Sequence, residues 1–150
     1  MTDPAARPPR IVVGVDGSPS SRHALRWAAR QAQFLGGRLE VVTTWELPTS
    51  FGFVPPYPPD FNPAADAERA AEEELAAVLV DYPDVVGHTT VVEGHPAPIL
   101  IDLSRDADLL VLGSRGHGEF AGMLLGSVSQ HCVATAHCPV LVWRHDSERF

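Results

Sequence analysis

Five short runs rich in β-branched and other apolar residues constrain the fold of this chain more than any other feature. They are Arg10–Val15 (RIVVGV), Arg38–Trp45 (RLEVVTTW), His88–Glu93 (HTTVVE), Leu109–Leu112 (LLVL) and Val140–Arg144 (VLVWR). Runs of this length and composition read as strands buried on both faces. The stretches between them change period. After Asp16-Gly17, Ser18 is a good N-cap and Pro19 a good first helical residue; Ala24, Leu25, Ala28, Ala32 and Leu35 then recur at helical spacing until Gly36-Gly37. Asn62-Pro63 opens a second helix with Ala67, Ala71, Leu75, Val78 and Leu79 on its core side, ended by Tyr82-Pro83. Gly94-His95-Pro96 leads into a short helix from Ala97 to about Arg105, and a fourth starts near Ser127 and precedes Pro139. The alternation predicts an α/β fold, an open five-stranded parallel sheet with helices on both faces and right-handed crossovers. At 150 residues the chain fits one domain, 1–150, with residues 1–9 as a flexible N-terminus.

In such a sheet a ligand sits beyond the carboxyl edge of the strands, where the direction of winding reverses. A strand order of 3-2-1-4-5 makes strands one and four neighbours, so the loops that follow them line one crevice. Both loops carry suitable chemistry. Strand four runs into Gly113-Ser114-Arg115-Gly116, followed after nine residues by Gly126-Ser127 at the start of a helix. Bare amides and the positive end of the helix dipole then point at one place, which suits an anion such as a nucleotide phosphate. Strand one runs into Gly14-Val15-Asp16-Gly17-Ser18, where Asp16 can accept hydrogen bonds from a ribose or a base but would repel phosphate.

Lysine is absent, all eleven basic residues being arginine. That excludes a Walker-type phosphate loop and a Schiff base. Arg115, inside the loop, either neutralises phosphate or is a solvated surface arginine; His117 reads as a solvent-facing loop residue rather than a general base. Ser127 can cap the helix, contact phosphate and share in holding Mg2+. Strand one is not followed by G-x-G-x-x-G, which disfavours a dinucleotide site. Nothing in the sequence assembles a hydrolytic apparatus.

A formal net charge of -8 argues against nucleic-acid and anionic-membrane partners. No apolar stretch approaches the roughly 20 residues of a membrane span. Residues 1–10 lack the hydrophobic core of a signal peptide, so a cytoplasmic location is expected. In His131-Cys132…His137-Cys138 each potential ligand pair is adjacent, the wrong spacing for zinc, and buried cysteine packing is expected instead. Residues 46–62 hold five prolines among Phe51, Phe53, Tyr57 and Phe61 and read as a long loop. Such a loop can act as a lid over the crevice, contact a protein partner, or be an insertion that is merely tolerated.

The chain resembles the universal stress protein family. ATP-binding members carry G-x2-G-x9-G-[ST], and Gly113, Gly116, Gly126 and Ser127 match each fixed position. The resemblance extends to Val13-Gly14-Val15-Asp16-Gly17-Ser18, Val92-Glu93-Gly94-His95-Pro96 and Cys138-Pro139-Val140-Leu141-Val142. It implies an ATP site with Asp16 and the Gly14 backbone near the adenosine end and Thr44 bordering the adenine. Gly113, Ser114, Arg115, Gly116, His117 and Gly118 would then lie on the loop side, and Gly126, Ser127 and Val128 would offer helix-start amides and a hydroxyl to phosphate. It also implies a stress or dormancy regulator working through nucleotide occupancy, with slow or no hydrolysis. The family commonly forms homodimers through the last strand, and the apolar Val140–Trp143 fits that use. The other expectations are a protein-interaction module biased by nucleotide and a weak ATPase.

Overall fold

The computed structural model describes residues 6–116 and 125–144. Its strands are β1 (Arg10–Gly14), β2 (Arg38–Trp45), β3 (Val86–Glu93), β4 (Leu109–Gly113) and β5 (Val140–Trp143). Its helices are α1 (Pro19–Leu35), α2 (Pro63–Leu79), α3 (Pro96–Leu103) and α4 (Ser127–Thr135). The five strands form one sheet in the order β3-β2-β1-β4-β5, and every pairing is parallel. The topology is the one expected from the alternation of runs.

Details at the element ends differ. β1 stops at Gly14, one residue short of the run, and the Val15 amide completes the last pair with β2 by donating to the Val42 carbonyl at 2.9 Å. β3 begins at Val86, two residues before the apolar run, because Arg38 and Leu39 of β2 already pair with Val86 and Gly87. α3 ends at Leu103 and tightens into a single 3-10 turn over Ser104–Asp106.

Local chemistry sets the helix limits. Ser18 Oγ accepts the Ser21 amide at 3.2 Å with Pro19 in the first turn, and Asn62 Oδ1 accepts the Ala65 amide at 3.1 Å ahead of α2. Gly36 closes α1 with a φ of 63°, a left-handed conformation that costs glycine little.

The alternating strand faces build two cores. On one face Ile11, Val13, Leu39, Val41 and Val111 meet Ala24, Leu25, Ala28 and Ala32 of α1 and Leu75 and Val78 of α2. The alanines, at four-residue spacing, let α1 lie close against the sheet. On the other face Val12, Val42, Leu110 and Leu112 meet Leu100 of α3 and Cys132 of α4. Each fully buried Leu or Ile contributes about 1.5–3 kcal/mol. Burial pushes the Cys132 thiol up to about 11, so it packs as an apolar group.

Residues 46–62 contain neither helix nor paired strand beyond one bridge between Ser50 and Phe53. Two backbone hydrogen bonds of 3.0 and 2.9 Å close that bridge around Phe51-Gly52. Behind it Tyr57 stacks on Phe61 with ring centroids 4.2 Å apart, and the Tyr57 hydroxyl donates to the Pro48 carbonyl. Phe51 and Phe53 stay exposed at the tip. Among the described residues no helix is long and apolar enough to cross a membrane.

Candidate nucleotide site

β1 has β2 on one side and β4 on the other, so the crossovers leave it in opposite directions. A cleft opens at the carboxyl ends of these strands, where the winding reverses. It holds about 610 Å³ of space between atoms, counted out to its open mouth. The floor and one wall come from Gly14, Val15 and Asp16 after β1 and from Val42 and Thr44 of β2. Pro96 and Leu100 of α3 close the apolar side. Leu112, Gly113, Arg115 and Gly116 with Gly126, Val128 and Ser129 of the α4 start form the opposite wall.

The two loops are fitted to each other by the absence of side chains. A Cβ on Gly113 would lie 2.5 Å from Ser20 Oγ and 2.8 Å from the Ser20 carbonyl carbon, so only glycine lets the end of β4 pass the first turn of α1. A Cβ on Gly116 would lie 2.5 Å from Asp16 Oδ2. The carboxylate therefore packs directly on the glycine loop. Its other oxygen accepts the Ser18 amide at 3.0 Å, and Ser18 Oγ donates to the Arg115 carbonyl at 3.4 Å. One turn thus organises both sides of the cleft. The glycines that the sequence offers as room for a phosphate also serve this packing.

The α4 side is open to an anion. Its N-cap is Gly126, in extended conformation, and no side chain caps the helix. First-turn amides without a side-chain cap carry the positive end of the dipole. Beside them Arg115 is half-buried, and its Nε is buried with no hydrogen-bond partner. A buried N–H left unpaired costs about 1–3 kcal/mol, which an acceptor in the cleft would recover. Among the described residues Arg115 and Asp16 are the charged side chains of the lining; Asp16 comes from the turn after β1 and its carboxylate lies against Gly116, the neighbour of Arg115 in the chain.

Of the residues expected at the site, Gly14, Asp16, Thr44, Gly113, Arg115, Gly116, Gly126 and Val128 come together around this cleft. Ser114 and Ser127 are not part of the lining. Ser114 is 2% exposed beneath the loop, its amide donating to Trp143 O at 2.8 Å and its carbonyl accepting from Gly126 N at 2.7 Å. Ser127 is the exposed first helical residue rather than the cap, because Gly126 takes the cap position. His117 and Gly118 lie outside the described residues.

Two polar residues of the lining were not read from the sequence, Ser21 and Ser129. Ser21 Oγ accepts the Asp16 amide at 3.3 Å and donates to Ser18 O at 3.0 Å. Ser129 Oγ donates to the Gly113 carbonyl at 2.6 Å. For Ser129 the signal was its position three residues after Gly126, one turn into the helix on the side of the cap. No residue of 46–62 is among those described as lining the cleft.

Residues 9–144 match the family model described as the universal stress protein family. The chain belongs to that family. It is 40% identical over 149 residues to universal stress protein Rv1996 of Mycobacterium tuberculosis, a match covering 93% of this chain and 45% of the relative. It is 36% identical over 146 residues to universal stress protein Rv2623 of the same organism, covering 92% and 48%. The chain therefore spans about half the length of the curated relatives it matches. Among solved structures it resembles a universal stress protein crystallised in complex with cAMP, with a TM-score of 0.62, 29% identity and coverage of 89% of this chain and 94% of that one. The universal stress protein UspA from Lactobacillus plantarum shares the fold at a TM-score of 0.65 and 24% identity, covering 93% and 99%.

Proposed function

We propose that the protein binds an adenine nucleotide in the cleft between β1 and β4, with ATP as the ligand, and that occupancy rather than turnover carries its regulatory role in a stress or dormancy response. The observation that carries this reading is the pairing of the start of α4, which no side chain caps, with the unpartnered buried Nε of Arg115 on one wall of the cleft. Both are donors to an anion. Thr44 and the apolar Val15, Val42 and Leu100 suit a flat base, and Asp16, against Gly116, can accept from a ribose. The solved relative crystallised with cAMP supports an adenine nucleotide as the class of ligand.

Slow or no hydrolysis follows from the same arrangement. Asp16 is occupied in holding the Ser18 amide and packing on Gly116, and the chain has no lysine to draw charge from a leaving phosphate. The loop 46–62 favours a second role as a protein-interaction module, since its hairpin presents Phe51 and Phe53 to solvent on a braced base. A homodimer through the outer edge of β5, Val140–Trp143, would cover that strand and continue the sheet.

The test is calorimetric binding of ATP and adenosine to the wild-type protein and to Arg115→Gln. The variant should bind ATP about tenfold more weakly, the loss expected for one charge-assisted hydrogen bond. Adenosine binding should be unchanged. Equal ATP affinity in the two proteins would sink the assignment of Arg115 and the phosphate wall with it.

A further inference from the structure

We infer that Ser129 is a positioning residue of this site: its hydroxyl holds the first turn of α4 against the end of β4 and so sets where the helix-start amides meet a ligand phosphate. The inference rests on the nucleotide reading above. Ser129 is 4% exposed, lines the cleft and donates to the Gly113 carbonyl at 2.6 Å across 16 residues of sequence. A second bond, from the Gly126 amide to the Ser114 carbonyl at 2.7 Å, lies beside it. Together they tie residues 113–114 to residues 126–129, the two ends of the glycine-rich stretch.

The β4 end of this tie is fixed from other directions. Gly113 abuts Ser20 of α1, and Ser114 N is held by Trp143 O of β5 at 2.8 Å. On the α4 side Cys132 and Val128 pack in the core and Gln130 Nε2 donates to the Leu125 carbonyl at 2.8 Å, but Gly126 supplies no capping side chain at the helix start. The Ser129 hydroxyl therefore carries the fixed position of β4 across to the helix start. Without it the Gly113 carbonyl loses this donor, the tie to β4 falls to the Gly126–Ser114 bond, and the amide array can shift relative to Arg115 and Gly116. Thr44 and Val42, which face the base end, belong to β2 and do not depend on this bond.

The distinguishing readout is the ratio of ATP to adenosine affinity, measured by calorimetry for the wild type, Ser129→Ala and Ser129→Thr. Ser129→Ala should bind ATP about tenfold more weakly, the effect of losing the alignment of one or two hydrogen bonds to an anion. Its adenosine affinity should be unchanged. Ser129→Thr, which keeps the hydroxyl, should restore ATP binding. A Ser129→Ala protein that keeps the wild-type ratio, or loses both ligands in equal proportion, overturns the inference and leaves the nucleotide reading standing. A wild type that binds neither ligand overturns both. Should Ser129→Ala not fold, Ser129→Cys keeps the size with a weaker donor, and its ratio must fall between those of alanine and wild type for the inference to hold.

Discussion

The two ends of the sheet treat their polar groups in opposite ways. At the amino end, Glu40 of β2 is buried with a side chain 5% exposed, and its carboxylate is fully engaged. Arg10 of β1 reaches it through Nε at 2.7 Å and Nη2 at 2.5 Å, and Thr90 of β3 donates to the other oxygen at 2.8 Å. Arg10 also donates to the Leu103 carbonyl, and its amide to Asp108 at 2.7 Å. This network spans three strands and ties them to the end of α3. At the carboxyl end, Arg115 keeps a buried donor without an acceptor and α4 starts without a side-chain cap. Saturated groups stabilise the sheet; unsaturated ones cost stability until an acceptor meets them.

The largest expected effect comes from breaking the saturated end. Glu40→Ala leaves the Arg10 guanidinium, 13% exposed, with its bond to the Leu103 carbonyl but without its carboxylate. Urea unfolding should show a loss of about 3–5 kcal/mol, as for other buried pairs cut on one side. Nucleotide affinity of the folded fraction should not move. A parallel loss of affinity would show that the two ends are not separate.

An intermediate effect separates the two loop glycines. Gly113→Ala pushes a Cβ against Ser20 backbone that cannot step aside, and should cost about 1–3 kcal/mol of stability along with the nucleotide. Gly116→Ala meets only the end of the Asp16 side chain, which can turn away, so its stability should change by less than about 0.5 kcal/mol. Its cost should appear in ligand affinity, because Asp16 has moved. Thermal melts and binding measured on both variants check the ordering; equal destabilisation would remove the distinction.

The smallest effect concerns a group that breaks the pattern. Glu74 of α2 lines a groove between α1 and α2, has a buried Oε2 without a partner, and lies outside the cleft. Burial raises its carboxyl above the ordinary value of 4.5, Arg22 at 3.8 Å opposes that, and Asp16 adds to it. A raised carboxyl favours the fold below the unfolded-state value and loses that contribution as pH rises through the folded-state value. Glu74→Gln should therefore match the wild type near pH 4 and melt about 2 °C higher near pH 7.5. The same melting temperature difference at both pH values would show that burial of this charge does not govern the site.

Much of the fold was legible because its determinants are local. Ser18-Pro19, Gly36 and Asn62-Pro63 act on their own helix ends through hydrogen bonds to residues a few positions away. The site was legible for a related reason, since a strand, a glycine-rich loop and a helix start are consecutive in the chain. Residues whose role depends on a distant partner were harder to read. Ser114 and Ser127 sit inside the motif, the one buried beneath the loop and the other exposed, while Ser129, just beyond it, reaches Gly113.

The sequence by itself determined the alternation of strands and helices, the position of the reversal and the small residues that keep the cleft open, because hydrophobic period and backbone freedom are written residue by residue. Only the tertiary structure decided that Arg10, Glu40 and Thr90 share one buried network, and that Asp16 packs against the bare Cα of Gly116. Those pairings join strands and loops far apart in the chain. Their register follows from how parallel strands and crossover helices pack together, which no local stretch encodes alone.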